Sequence, residues 1–237
     1  MDPVLRRFRH YFPLNAEDAQ ALTAAVVRAR HVAAGERIVH EGERPDHINL
    51  VLSGFIARVK TVPEGHNQIT SLYLDGDVFD LRMYVLRQMD HTLTAISPAR
   101  IGYIPRDQLL RLADQRPNLQ RAFWAAALVN ESILAEWLVN IGRRRGPERL
   151  AHLICEIFWR LRAVGRLQGT DFALPFRQGE IAEMLAFSPV HVSRAVGRLR
   201  REGLVAESGP GLVVRDLAGL QRFAGFDPAY LHLSNDA

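Results

Sequence analysis

The chain is poor in the residues that build covalent or metal-held scaffolds. A single cysteine, Cys155, stands in 237 residues. It can form no internal disulfide and cannot supply a four-cysteine zinc or iron–sulfur site. Lysine is almost missing as well: Lys60 is the only one among 30 basic residues. No run of eighteen or more apolar residues occurs, so no membrane span is expected. The first residues, MDPVLRRFRHYF, lack the apolar stretch and cleavage site of a secretory signal, and a cytoplasmic protein is expected. Short catalytic signatures are absent too. There is no Gly-x-Ser-x-Gly, no His-Glu-x-x-His, no phosphate loop ending in Gly-Lys and no recognisable carboxylate pair. No catalytic residues and no metal ligands are therefore assigned, and an enzyme is not expected.

What is present is ordinary globular material, 48% hydrophobic and 24% charged, long enough for two modest domains. The net charge of +4 is unevenly spread. Residues 1–142 balance 16 cations against 16 anions, residues 143–201 carry 12 against 5, and residues 202–237 carry 2 against 5. The basic charge is packed into one stretch, and it is arginine. The planar guanidinium fork binds two acceptors at once, which suits phosphates and guanine edges.

Three segments follow from the patterning. Residues 20–108 read as short strands between recurring turn signals such as Gly35, Ser53-Gly54, Pro63-Glu64-Gly65 and Asp75-Gly76-Asp77, which predicts a sandwich or barrel. Residues 118–142 read as one long helix. Leu119, Phe123, Ala126, Asn130, Leu134, Trp137 and Ile141 recur at three- and four-residue steps, close to heptad spacing. The other faces of this helix are apolar too, so it needs cover on more than one side. Phe123, Ala126, Asn130, Leu134, Trp137 and Ile141 are the expected dimer seam, with Asn130 fixing register. Arg143-Arg144-Arg145-Gly146-Pro147 breaks the helix as a hinge, and a further helix is predicted over about 148–164.

The third segment carries the function. A helix over 178–185 with Ile181, Ala182 and Leu185 inward leads through Ala186-Phe187 to Ser188, a good N-cap, and Pro189, a good first helical residue. The second helix, about 189–201, buries Val192, Val196 and Leu199 and presents His191, Arg194, Arg198 and Arg201. This is a helix-turn-helix with its recognition helix in second place. Leu204–Glu207 and Leu212–Arg215 around Ser208-Gly-Pro-Gly211 predict a β-hairpin wing. The expected DNA-binding residues are Gln178, Ser188, Pro189, Val190, His191, Ser193, Arg194, Arg198 and Arg201. Arg194 is the expected base reader and Gln178 a phosphate contact.

From about residue 20 to 216 the chain resembles the Crp/Fnr superfamily of bacterial transcription regulators. The resemblance rests on Gly35-Glu-Arg-Ile-Val-His-Glu-Gly42, Asp46-His-Ile-Asn-Leu-Val-Leu-Ser-Gly54, Asp75-Gly-Asp-Val-Phe79 and the helix-turn-helix. It implies an α+β chain with an N-terminal double-stranded β-helix, or jelly roll, as a cyclic-nucleotide-binding-like sensor domain (1–117). A dimerisation helix (118–142), a hinge (143–146) and a winged helix-turn-helix domain (147–220) follow, leaving 221–237 as a tail. It also implies a homodimer on palindromic double-stranded DNA and contact with RNA polymerase. The alternative is a small-molecule-binding regulatory module whose partner is a protein.

Cyclic-AMP-binding members of that family place a glutamate on the ribose and an arginine on the phosphate. Leu81 and His91 stand at those positions here, and Thr92 replaces a serine. Cyclic-nucleotide binding is therefore not expected. Leu72, Phe79, Leu81, His91, Thr92 and Leu134 are the expected wall of a pocket for an unknown effector. Iron–sulfur members need a cysteine cluster that this chain lacks. Haem members use axial histidines, and no histidine here is placed to signal one. Ser193-Arg194 matches the Fnr branch, whereas Val190 replaces its upstream glutamate and points to a different outer base preference. Ala186 replaces the glycine frequent in the turn, where positive φ is often required. Cys155 reads as a structural thiol.

Overall fold

The run Ile48-Asn49-Leu50-Val51-Leu52 puts Ile48, Leu50 and Leu52 on one face and Val51, beside Asn49, on the other, and such a strand needs cover on both sides. In the computed structural model, which describes residues 1–79, 81–86, 88–167, 172–208 and 211–233, that cover comes from a second sheet and from helices. Two helices precede the sheets, α1 (Asp2–Tyr11) and α2 (Ala16–Ala24). Asn15 caps α2, accepting from Asp18 N at 2.8 Å. Eight strands follow: β1 (Arg28–Val32), β2 (Arg37–Val39), β3 (His47–Ser53), β4 (Ile56–Thr61), β5 (Asn67–Tyr73), β6 (Val78–Phe79), β7 (Thr92–Ala95) and β8 (Ala99–Pro105). They form two four-stranded sheets, ordered β1-β8-β3-β6 and β2-β7-β4-β5, with every pair antiparallel.

β3 is buried along nearly its whole length. Val51 faces the interior of the roll with Ile56, Tyr73, Phe79, Leu93 and Ile101. Ile48, Leu50 and Leu52 face outward onto Val4, Phe8, Leu22 and Phe123. The strand expectation over 20–108 therefore holds except at its ends, where residues 20–24 finish α2 and 106–108 begin a further helix, and at a 3-10 turn over Leu81–Tyr84. The Ser53-Gly54 turn requires glycine. Gly54 has φ +96°, and a Cβ there would lie 2.6 Å from the Pro98 carbonyl oxygen.

Beyond the roll come α3 (Arg106–Gln115) and the 27-residue α4 (Pro117–Arg143). By length and composition α4 is apolar enough to cross a bilayer. Asn130, Glu131 and Glu136 interrupt its apolar run, and a helix packed in a protein core passes the same length and composition test. Arg144 and Arg145 are extended, and α5 (Gly146–Ala163) follows.

The C-terminal domain continues with β9 (Ala173–Leu174), α6 (Gln178–Leu185), α7 (Pro189–Arg201), β10 (Val205–Ser208), β11 (Gly211–Val214), α8 (Leu217–Ala224) and a 3-10 turn at Pro228–Leu231. β10, β11 and β9 make a three-stranded wing; residues 209–210 of its predicted turn lie outside the described residues. The expected tail from 221 is corrected. Ala224, Phe226 and Leu231 are buried in the domain core, because α8 and the 3-10 turn close over α5.

One apolar core spans both halves of the molecule. Ala57, Ile69, Leu72 and Leu74 of the sensor half pack with Val129, Ile133 and Trp137 of α4 and with Leu153, Ile154 and Ile157 of α5. Gly76, at φ +91°, sits where the halves meet. A Cβ there would lie 2.6 Å from the Pro3 carbonyl oxygen and 3.0 Å from a Val164 methyl.

Candidate nucleic-acid interface

α6 and α7 are specified locally. Glu180 accepts the Arg177 backbone N–H at 2.7 Å and closes the start of α6. Ala186 ends it in the left-handed conformation, φ 53° and ψ 47°, so the turn takes the backbone its sequence position calls for without the usual glycine. The Phe187 N–H returns to the Ala182 carbonyl at 2.9 Å. Ser188 caps α7 by accepting from His191 N, and Pro189 opens it.

The apolar side of α7, Val192, Ala195, Val196 and Leu199, is buried against its own domain. The opposite side stands in solvent: Pro189, Val190, His191, Ser193, Arg194, Arg198, Arg200 and Arg201 are all exposed. Gln178 is exposed at the start of α6. Every residue expected to bind DNA is therefore accessible, all but Gln178 at the cap or on the exposed side of α7. Arg198 is ion-paired with Glu202 at 2.6 Å, and the His191 ring lies 3.0 Å from the Ser188 hydroxyl. His191 and Arg194 also line a shallow depression of about 420 Å³ with Gly146, Pro147 and Phe187. Phe187 is held from behind by the Arg149 guanidinium, 4.8 Å above its ring.

The expected dimer seam is corrected in part. Phe123, Ala126 and Trp137 are buried inside their own subunit. Phe123 packs edge-on against Phe8, and the Trp137 indole donates to the Glu156 carboxylate. Asn130 and Ile141 are half-buried, and only Leu134 is plainly exposed. The outward stripe of α4 instead runs through Trp124, Leu128, Leu134, Leu138 and Val139. An all-round apolar helix has two stripes of similar pattern. Periodicity finds both but cannot say which one the roll covers.

A cavity of about 370 Å³ lies between the roll and α4. Tyr73, Val78, Leu81, Phe123, Trp124 and Leu134 form its apolar walls, and Arg58, Ser71, Gln120 and Asn130 add polar groups. Of the six expected effector residues, Leu81 and Leu134 line it. The other four are corrected. Phe79 is buried in the interior of the roll, and Leu72 is buried in the core that the roll shares with α4 and α5. Thr92 accepts from Glu41 N at 3.3 Å. The His91 ring is buried, with Nδ1 2.6 Å from Asp90. Burial would raise the Asp90 carboxyl, but the His91 hydrogen bond and the Arg82 charge outweigh it and hold it at about 2.

Cys155 is fully buried on α5, and burial pushes its thiol up to about 12, the behaviour of a packing residue. Among the described residues no group of three or more His, Cys, Asp or Glu is placed to hold a metal.

Sequence reasoning missed the polar contacts that tie the domains together. Gln68 of β5 donates to the Glu183 and Met184 carbonyls at the end of α6, at 2.6 and 3.4 Å. Arg160 of α5 reaches Asp77 of the roll at 2.5 Å.

Comparison with known proteins agrees with this layout. Residues 148–223 match the Crp-like helix-turn-helix domain, and residues 29–116 match the cyclic nucleotide-binding domain. A relative from Rhizobium leguminosarum bv. viciae described as a probable transcriptional activator is 30% identical over 194 residues, covering 81% of this chain and 80% of its own. The anaerobic regulatory protein of Haemophilus influenzae is 26% identical over 216 residues, covering 90% of this chain and 83% of its own. Among solved structures, FixK2 of Bradyrhizobium japonicum has a TM-score of 0.74 at 24% identity, over 83% of this chain and 96% of that one.

Proposed function

The chain belongs to the Crp/Fnr family of transcription regulators, and from that premise we propose that it acts as a homodimer setting one α7 into the major groove of each half of a palindromic duplex site. It is a DNA-binding regulator, and the reading in which its partner is a protein finds no support in its relatives. The observation that carries the proposal is the two-sided character of α7. One side is domain core, and the other is an unobstructed row of polar and cationic side chains.

The roles follow from position. Arg194, one turn into the helix and exposed, is the guanine reader. Ser193 beside it bonds a base or a phosphate. Val190, 59% exposed at the first turn, offers a methyl surface to thymine. Gln178 and Arg201 bracket the motif and meet the phosphate backbone. Arg198 shares its charge with Glu202 and contributes less.

The second copy covers the outward stripe of α4. Trp124, Leu128, Leu134 and Leu138 follow at steps of four, six and four residues on the exposed side of the helix, and Asn130 and Ile141 are half-buried beside them. Glu131 and Arg121, charged and exposed on the same helix, favour a protein partner over lipid.

The cavity between roll and α4 takes the effector, if one is used. It offers Leu81 where a ribose would need an acceptor, and His91 is committed to Asp90 away from the cavity wall, so cyclic nucleotides suit it poorly. Contact with RNA polymerase and a cytoplasmic location complete the reading.

Selection from a random duplex library, followed by salt titration of the winning site, tests the proposal. A two-fold-symmetric sequence whose affinity falls steeply with salt is expected. Salt-independent binding, or none to any duplex, overturns it.

A further inference from the structure

Four charged side chains are buried together where the sensor and DNA-binding halves meet. Asp77 lies in the turn between β5 and β6, Arg7 on α1, and Glu156 and Arg160 on α5; none is more than 6% exposed. Two cations face two anions, so the cluster is neutral. Arg160 is its centre. One guanidinium nitrogen donates to Glu156 at 3.0 Å, and the other to Asp77 at 2.5 Å and to the Leu72 carbonyl at 2.9 Å. The second oxygen of Asp77 is ion-paired with Arg7 at 3.1 Å, and Arg7 also donates to the Arg160 carbonyl at 2.8 Å. Glu156 further accepts from Trp137 of α4 and, at 2.9 Å, from the Tyr230 hydroxyl.

The contacts have a consequence beyond cohesion. The only covalent joint between the halves is the extended pair Arg144-Arg145. A rigid domain on such a joint can still swivel. Here it is held by the shared apolar core and by polar contacts, among them the Arg160 cluster at one end of α5 and Gln68 on the Glu183 and Met184 carbonyls of α6. Those carbonyls have no partner within their own helix. Gln68 therefore holds the helix next to α7 from its C-terminal end.

We infer that Asp77, Arg160 and Arg7, with Gln68, are positioning residues for DNA recognition: they set the angle at which each recognition helix is carried, and so the half-site spacing that the dimer accepts. The inference rests on the homodimer reading above. Duplex spacing is the quantity that two recognition helices related by a two-fold axis impose. Domains free to swivel would accept several spacings; pinned domains accept one.

The test is competition binding of the full-length protein to duplexes in which the two selected half-sites are separated by the preferred spacer, or by one or two base pairs more or fewer. The wild type is expected to favour one spacer by about tenfold or more, a gap the size of roughly one mismatched base pair. Gln68→Ala removes a pin without leaving a buried charge. Asp77→Asn with Arg160→Gln leaves Arg7 and Glu156 to balance each other. Both are expected to reduce the spacer ratio several-fold while dimer mass is unchanged. Simple destabilisation would lower binding to all spacers alike and leave the ratio intact. If both variants fold and keep the wild-type ratio, the inference is overturned; if the double variant does not fold, Gln68→Ala decides alone. A wild type without any spacer preference would instead sink the homodimer reading itself.

Discussion

The Trp137 indole N–H points at both oxygens of the Glu156 carboxylate, at 3.2 and 3.0 Å, inside a single subunit. That pairing joins the long helix to the first helix of the DNA-binding half, and it reassigns Trp137 from a seam between subunits to a strut within one. Burial pushes the Glu156 carboxyl above the usual range, and Arg160, Tyr230 and Trp137 offset this only in part.

Leu138→Asp, not Trp137→Asp, is therefore the change that separates the dimer. Leu138 is 73% exposed on α4, and a carboxylate there costs the subunit little. Sedimentation should show a folded monomer with weakened operator binding. Trp137→Asp should instead unfold the chain, since it removes a buried aromatic worth about 3–5 kcal/mol and adds a charge beside Glu156. A Leu138→Asp protein that remains dimeric at micromolar concentration contradicts the assigned face.

Arg194→Ala should flatten base preference at one position in each half-site, at a cost of about 1–3 kcal/mol of discrimination per half-site. Dimerisation should be untouched, because Arg194 is exposed on α7, far along the chain from the α4 stripe. Library selection with the variant reads this directly. An unchanged sequence logo means that another residue reads the base.

Stability should fall on mild acidification, through His152. This histidine is buried between Tyr230 and Phe226, with Nε2 3.2 Å from Glu136, and burial together with the Arg144 charge depresses it to about 3. The unfolded chain takes up a proton near 6.5 and the folded chain does not. Stability supplied by the neutral ring is thus complete above that pH. It is lost as pH falls from there toward 3, at about 1.4 kcal/mol per pH unit at most. Urea midpoints between pH 7 and 5 should decline, and His152→Gln should decline less. Parallel curves for the two proteins would rule out His152 as the source.

Cys155 should resist alkylation. With the thiol at about 12 and no exposed surface, iodoacetamide at pH 8 should label it only after unfolding. Labelling of the native protein on the time scale of a free thiol would show that α5 opens.

The helix-turn-helix was legible because its signals are local. Glu180, Ala186, Ser188 and Pro189 each act within four residues, and the arginines of α7 fall on the side that the apolar steps leave free. The strands were legible from their turns. What the sequence hid depends on distant partners. More than one side of α4 is apolar, and α1 decides between them by meeting Phe123. Leu72 and Phe79 are both apolar strand residues, yet Phe79 is taken up by the interior of the roll and Leu72 by the core shared with α4 and α5. Residues 221–231 read as a tail because their cover, the outer side of α5, is over sixty residues earlier. Arg7, Asp77, Glu156 and Arg160 look like ordinary surface charges one at a time; only the four-residue step from Glu156 to Arg160 hinted at a pair.

The interleaving of α1 between the halves limits how freely the two can be recombined. Arg7 comes from the first turns of the chain, yet it donates to the Arg160 carbonyl of α5. A chimaera cut at Arg144-Arg145 would inherit Arg7 and Asp77 from one parent and the residue facing them from the other. Transplanting the reading head of this regulator onto a foreign sensor therefore means carrying a piece of its N-terminus along with it.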